Sequence, residues 1–83
     1  MYEDMNKTYA KFLKTGDLYE ILSLDCEMKN PTTREWSRAV SYKKYKVLEN
    51  GELREPGPEF EGRIFVREYQ DFIKKFEICQ NLS

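Results

Sequence analysis

The segment best equipped for ligand chemistry is residues 34–46, which reads REWSRAVSYKKYK. It carries five Lys or Arg and one Glu, with aromatic residues between the cations. Cations that attract phosphate, beside rings that stack on a base, favour a nucleotide or another small anion. A strand with one buried face and one solvated basic face produces the same pattern, and this alternative stays open. With one arginine added from a later strand, the predicted ligand-binding residues are Trp36, Arg38, Tyr42, Lys43, Lys44 and Arg67.

Arg67 follows an apolar stretch and precedes a predicted helix. Its planar guanidinium suits a carboxylate, such as that of Asp71 or Glu20, and it suits the phosphate of a ligand equally. A structural ion pair and a ligand contact are therefore both open for this residue.

Two other surfaces are suited to a protein partner. The loop from Glu49 to Glu61 has five carboxylates and only Arg54 opposing them, which favours either a basic partner or a solvated, mobile loop. Apolar residues near the N-terminus are suited to burial against another protein or in a homo-oligomer. The predicted partner-binding residues are Tyr2, Met5, Glu52, Glu55 and Glu59.

Catalysis and metal binding are disfavoured by the residue inventory. The chain has no histidine, the side chain that most often transfers protons near neutral pH. Cys26 and Cys79 are far apart and lack partner ligands at zinc spacing, so we expect free thiols. We predict a protein that is not an enzyme, with no catalytic residue, no metal and no cofactor.

Length and charge restrict the remaining classes. Eighty-three residues suffice for one small domain with one core. A net charge of −1 disfavours long nucleic acids and ranks single-stranded nucleic acid last among the binding hypotheses. The absence of a membrane-length apolar run and of a leader predicts a soluble, cytoplasmic protein.

The middle of the chain reads as antiparallel strands. Alternation and branched residues predict strands over 18–26, 35–48 and 62–66, with a bulge near Lys43-Lys44. Asn30-Pro31-Thr32-Thr33 predicts a turn, and Asn50-Gly51 predicts a type I′ hairpin that places Val47 and Leu48 opposite Leu53. The prolines in residues 55–59 predict a loop.

The two ends of the chain are less regular. Helical spacing of Tyr69, Phe72, Ile73 and Phe76 predicts a short helix with a buried stripe, followed by a last strand at Ile78 and Cys79. Residues 2–13 have helical spacing too, although Tyr9 to Phe12 are also compatible with a paired strand. We expect one domain over residues 1–83, with an extension over 1–8, a barrel-like core over 9–79 and a tail over 80–83. The fold class is α+β: a small, strongly curved, mostly antiparallel sheet or partly open barrel of four or five strands with one or two short helices.

The order of these motifs resembles a known family. Tyr9-x-x-Phe12, Lys14-x-Gly16, Tyr19-Glu20-Ile21-Leu22, Val40-x-Tyr42-Lys43 and Gly62-x-x-Phe65-Val66-Arg67, followed by Phe72 and Phe76, are similar to the bacterial and phage domain-of-unknown-function family 1653. The resemblance covers roughly residues 9 to 78 and implies an SH3-like barrel without an established activity. Glu68 stands where the family usually has Pro, and both family histidines are missing, so this chain would be a divergent member.

Two functional hypotheses follow. The first is a small non-catalytic module that binds a protein partner, for instance a phage-encoded modulator of a host or defence protein. The second is a module that binds or sequesters a small anionic ligand, such as a nucleotide, through the basic aromatic strand. They are distinguished by whether Trp36, Arg38 and Arg67 meet in one pocket.

Overall fold

The computed structural model describes residues 8–80, so the predicted partner-binding residues Tyr2 and Met5 lie outside the described residues. A 3₁₀ turn at Pro58–Phe60 precedes β5. The main elements in chain order are β1 (Thr8–Phe12), β2 (Leu18–Lys29), β3 (Trp36–Glu49), β4 (Glu52–Arg54), β5 (Phe65–Glu68), α1 (Tyr69–Lys75) and β6 (Phe76–Gln80).

The strands form one antiparallel sheet in the order β4-β3-β2-β1-β6, and β5 also pairs with β3. The first and last described strands are therefore neighbours, with Phe12 directly opposite Phe76. The helix α1 connects β5 and β6, which lie at opposite sides of the sheet, and the described strands do not close into a barrel. The predicted α+β class with a small antiparallel sheet is confirmed, but the described residues form six strands rather than the predicted four or five. No helix among the described residues is long and apolar enough to cross a membrane.

Residues 8–12 are a strand, so the helical alternative for this segment is wrong and the extended one is correct. Tyr9 pairs with Glu20 on one side and with Cys79 on the other. The side chain of Ala10 is fully buried, whereas the ring of Tyr9 packs on that of Tyr45 at 4.7 Å. The helix-like spacing arises because the chain turns after Phe12, and Leu13 then belongs to the turn.

Bulges bend the long hairpin of β2 and β3. Tyr19 pairs with Lys44 while Leu18 pairs with Lys46, so Tyr45 is the extra residue on β3. The predicted bulge at Lys43-Lys44 is thus displaced by one position. Two further register shifts lie between Ile21 and Cys26. Because each bulge increases the local twist, these irregularities curve the sheet.

The turns follow their sequence signals closely. The Asn30 side chain accepts hydrogen bonds from the backbone of Thr32 and Thr33, as predicted for this turn. Asn50 and Gly51 both have positive φ, and Leu48 pairs with Leu53, so the predicted hairpin is confirmed. One strand begins later than predicted, at Phe65 rather than at residue 62, because the chain first completes a turn at residues 61–62.

The core is built mainly from aromatic rings of the sheet and of α1, together with Ala10 and Val40. Phe72 is completely buried, and its ring stacks on that of Phe76 at 4.1 Å. Ile73 is 41% exposed, so its predicted place in the buried stripe is wrong. A helix of seven residues contacts the sheet through a narrow face, and the residue after Phe72 is turned away from that face.

Candidate functional site

The structure distributes the predicted ligand-binding residues over several environments. Trp36 lies near the end of the β2–β3 hairpin with 63% of its surface exposed. Two positions on, Arg38 donates from Nε to the carbonyl of Leu24 at 2.8 Å and pairs with Asp25 at 3.0 Å. Its guanidinium also lies 3.9 Å from the ring centre of Tyr69. The cation is therefore held by its own neighbours.

Tyr42 belongs to the core. Its ring is surrounded by four other rings and is only 4% exposed, so stacking on a ligand base is blocked by the protein itself. Its hydroxyl still takes part in a polar contact, since it accepts a hydrogen bond from Nε of Arg67 at 3.2 Å.

The two lysines that follow are paired with carboxylates on or before β2. Lys43 lies 3.8 Å from Glu20, and Lys44 lies 3.4 Å from Asp17. Burial lowers the pKa of Lys44, but interactions with Tyr19 and Asp17 outweigh it and leave the pKa above its ordinary value. Both lysines line a cavity of about 290 Å³ against the loop of residues 55–62.

The carboxylates of the acidic loop, residues 49–61, are partly neutralised by one cation of β3 and one of the loop itself. Glu55 is paired with Lys46, and Glu52 lies 3.6 Å from Arg54. Glu59 lies in the 3₁₀ turn. The role of Glu52, Glu55 and Glu59 in binding a partner stays a prediction.

A different cavity is lined by cationic side chains that are far apart in the sequence. It measures about 380 Å³ and lies between the β1–β2 turn and the end of α1. The backbone N–H of Leu13 donates to the carbonyl of Lys75 at 3.0 Å, which joins the two walls. We call this space the basic cavity; its lining residues are Phe12, Leu13, Lys14, Arg67, Lys74 and Lys75.

Arg67 is the most constrained cation of the basic cavity. Nη1 donates to Asp71 at 2.7 Å and Nε donates to Tyr42, so the side chain is fixed from two directions. The hydrogen bond to Tyr42 raises the pKa of Arg67, and the bond to Asp71 adds to this against the opposing effect of burial. A guanidinium has five N–H donors, so donors remain after these two contacts.

One carboxylate faces these positive charges. Asp71 is shared by Arg67 and by Lys75, the latter at 3.4 Å. The hydrogen bond from Arg67 is the main cause of a lowered pKa for Asp71, and Lys75 lowers it further. Within residues 8–80, Lys14 and Lys74 take part in no ion pair. The basic cavity therefore has an excess of positive charge.

A smaller cavity adjoins the basic cavity and shares Phe12 and Arg67 with it. We call it the aromatic cavity; it measures about 120 Å³ and is lined by Phe12, Tyr19, Tyr42, Phe65, Arg67 and Phe76. Its walls are five aromatic rings and one guanidinium. Arg67 therefore lies at the boundary between the aromatic cavity and the basic cavity.

Of the residues predicted for the ligand site, Arg67 alone lines the basic cavity. Tyr42 and Arg67 both line the aromatic cavity. Sequence reasoning missed Lys14, Lys74 and Lys75. The signal that could have found the last two is their position in the final turn of the predicted helix, while Lys14 gave a signal only through its turn with Gly16. Their proximity follows from the pairing of β1 with β6.

Comparison of the chain with family models, curated proteins and solved structures finds no significant match.

Proposed function

We propose that the protein is a small cytoplasmic binding module, without catalytic activity, that holds a small anionic ligand in the basic cavity. The observation that carries this proposal is the convergence of Lys14, Arg67, Lys74 and Lys75 on one space of about 380 Å³. The two free thiols, Cys26 and Cys79, are compatible with a reducing compartment.

The charge balance supports an anion as the occupant. Four cationic side chains line the basic cavity, and Asp71 is the carboxylate paired with two of them. An oxyanion would gain charge-assisted hydrogen bonds from the remaining guanidinium donors and attraction from the lysines. Asp71 fixes the orientation of Arg67, so the side chain loses little freedom on binding.

The test is a titration of the ¹⁵N-labelled protein with inorganic phosphate, followed by NMR. We expect the amide signals of residues 13–14 and 74–75 to shift together along one saturable curve. Charge reversal by Lys74→Glu should weaken this binding. Lys29→Glu, which reverses an exposed charge at the far end of β2, is the matched control.

Two results would contradict the proposal. One is a set of shifts centred on the lysines of β3 with residues 13–14 and 74–75 unchanged. The other is an equal loss of affinity in the Lys74→Glu and Lys29→Glu variants, which would indicate a response to net charge alone.

A protein partner is the second candidate function, and the exposed Trp36 favours it. Among the described residues, the end of the β2–β3 hairpin pairs only with itself, because β1 reaches no further than Ile21 and β5 no further than Ala39. An exposed indole on such a projection is a typical binding anchor. A phage-encoded modulator of a host protein would use this anchor together with the acidic loop.

Co-purification from a bacterial lysate tests this second candidate. We expect one protein, or a second copy of this chain, to be retained by the wild type and by Lys74→Glu but lost in Trp36→Ala. Equal retention by Trp36→Ala would exclude the hairpin end as the anchor.

We also propose that the curved sheet is of the SH3-like, partly open type and that the chain is a divergent relative of family 1653. The adjacency of the first and last described strands and the bulges in β2 and β3 support this proposal. The test is an NMR structure in solution. Strand pairing of β1 with β6 and of β3 with β5 is expected, and a flat sheet without the bulges would contradict it.

A further inference from the structure

We propose that the ligand is an amphipathic anion, with its oxyanion on the cations of the basic cavity and a short aliphatic group on Phe12 and Leu13. This inference rests on the proposed anion-binding function and names the class of ligand. It follows from the composition of the lining, the exposure of Leu13 and the size of the cavity.

The lining of the basic cavity contains both cations and apolar side chains. Arg67 comes from β5, and Lys74 and Lys75 come from the end of α1. Phe12 and Leu13 come from the end of β1 and from the turn that follows it. The hydrogen bond between the backbones of Leu13 and Lys75 joins these segments. A ligand in this space therefore meets positive charge and apolar surface together.

The apolar part of this lining is incompletely covered by the protein. Leu13 is 57% exposed, and Phe12 is half-buried although its ring lies 4.9 Å from that of Phe76. Removing apolar surface from water is favourable roughly in proportion to the area buried. An aliphatic group on the ligand would gain this free energy, whereas a bare oxyanion would not.

The volume of the basic cavity indicates the size of the ligand. A space of about 380 Å³ has room for about a dozen groups the size of a water molecule, at ~30 Å³ each. A phosphate ion would fill about five of these places, and a nucleotide, with roughly twenty non-hydrogen atoms, would extend well outside. A carboxylate or phosphate that carries about four to six carbons fits the space best.

The fixed orientation of Arg67 directs the charged end of the ligand. Its Nε donates to Tyr42 and its Nη1 donates to Asp71, and the remaining N–H groups are able to donate to an oxyanion. Within residues 8–80, Lys14 and Lys74 take part in no ion pair, so their charges add to the attraction. A carboxylate and a phosphate share this chemistry, and the probes below distinguish them.

The experiment is an NMR titration of the full ¹⁵N-labelled chain with acetate, hexanoate, neutral hexanol, inorganic phosphate and butyl phosphate. Each fully buried methylene should raise the affinity about fourfold, and we expect about half of that free energy in a cavity open to solvent. Hexanoate should therefore bind at least about tenfold more tightly than acetate, or butyl phosphate than inorganic phosphate. The tighter of the two long probes identifies the anionic group. Hexanol should bind at least about tenfold more weakly than that probe, because it lacks the charge.

Two matched variants locate the aliphatic group. Leu13→Ala shortens an exposed side chain of the lining, so the ratio of long-probe to short-probe affinity should fall about threefold or more. The affinity for the short probe should change by less than about twofold, because the cations are unaltered. Leu53→Ala makes the same truncation at an exposed leucine of β4, outside the lining of the basic cavity, and should leave the ratio unchanged.

The outcomes separate this inference from the proposed function. If acetate or inorganic phosphate binds in the basic cavity and the longer chains add no affinity, the amphipathic ligand is overturned and the anion-binding function survives. A chain-length effect that Leu13→Ala leaves intact, or hexanol that binds as tightly as the long anions, would also overturn the inference. If no probe binds, both proposals fail.

Discussion

The basic strand and the basic cavity contain similar numbers of cations but differ in how those cations are neutralised. On β3, Arg38, Lys43, Lys44 and Lys46 each have a carboxylate of their own, from Asp25, Glu20, Asp17 and Glu55 respectively. Of the four cations that line the basic cavity, Arg67 and Lys75 share the carboxylate of Asp71, and Lys14 and Lys74 take part in no ion pair within residues 8–80.

This difference shows that charge density along the sequence is a poor guide to charge density in space. The strand is flanked by elements whose acids are placed opposite its lysines by the sheet register, as Glu20 is opposite Lys43. The cavity joins residues from a turn, a strand and a helix end, and no local stretch of sequence shows the excess. A ligand that seeks positive potential should therefore choose the cavity.

Both regions depend on the same aromatic core, and Phe72→Ala should disrupt them together. The Phe72 side chain is fully buried and stacks on Phe76, which lines the aromatic cavity. We expect a loss of about 3–5 kcal/mol in the free energy of unfolding, measured by urea denaturation. Ile73→Ala on the exposed side of α1 is the matched control, at about 1 kcal/mol or less. Equal costs for the two variants would contradict the described packing.

Charge reversal tests the comparison between the regions directly. Lys74→Glu should reduce the affinity for inorganic phosphate by about tenfold, because a cavity cation becomes a repelling anion. Lys43→Glu on the basic strand should change it by about twofold or less. Calorimetry on the two purified variants gives both values. The reverse ranking would place the ligand on β3, as the sequence predicted.

Removing the hydroxyl of Tyr42 tests how much its hydrogen bond with Arg67 contributes to stability and to anion binding. Tyr42→Phe keeps the core ring and deletes the acceptor for Nε of Arg67, so we expect a loss of about 1 kcal/mol in the free energy of unfolding. The freer guanidinium should also bind phosphate more weakly. Unchanged phosphate affinity, measured by the same calorimetry, would show that Asp71 alone orients the side chain.

Acid titration should reveal the contribution of Asp71, the carboxylate that pairs with Arg67 and Lys75. The pKa of Asp71 is lower in the folded protein than its ordinary value, chiefly because of Arg67. Its contribution to stability is therefore complete above the ordinary aspartate pKa, about 3.9, and is lost as the pH falls through the lowered value. Urea midpoints of wild type and Asp71→Asn should differ at pH 7 and converge in strong acid. A gap that persists in strong acid would point to a packing effect instead.

The exposed pairs of the basic strand should matter least. Asp25→Asn removes the carboxylate opposite Arg38, and 85% of that Asp25 side chain is exposed. We expect a change within about 0.5 kcal/mol in the free energy of unfolding by urea denaturation, as is usual for surface ion pairs. A loss above about 1.5 kcal/mol would show that the hairpin end depends on this pair.

The sequence predicts the fold better than the candidate site, because the patterns that indicate turns, strands and helices lie within short segments of the chain. The Asn50-Gly51 turn and the helix that contains Tyr69 and Phe72 depend on backbone conformation and helix period, which neighbouring residues determine. Phe76, predicted on the same helix, begins β6 instead. The start of the chain was ambiguous because Tyr9 and Phe12 fit two periods at once. Only pairing with Glu20 and Cys79 decides in favour of a strand.

The candidate site was accessible only through Arg67 and the ring of Tyr42. Lys14 and Lys75 are brought together by the pairing of β1 with β6, a long-range contact that leaves no pattern in either segment. Alternation predicts Tyr42 as a stacking ring because it identifies a face of the strand without showing which rings cover that face.

The hydrogen bond between Leu13 and Lys75 joins two walls of the basic cavity that are synthesised at different times. During synthesis, the β1–β2 turn is made before α1 and β6, which follow all the other described strands. The wall that holds Lys74 and Lys75 can close only when these last elements have docked. A ligand that needs both walls would not bind a nascent chain that lacks α1 and β6, and it would stabilise the folded state by mass action.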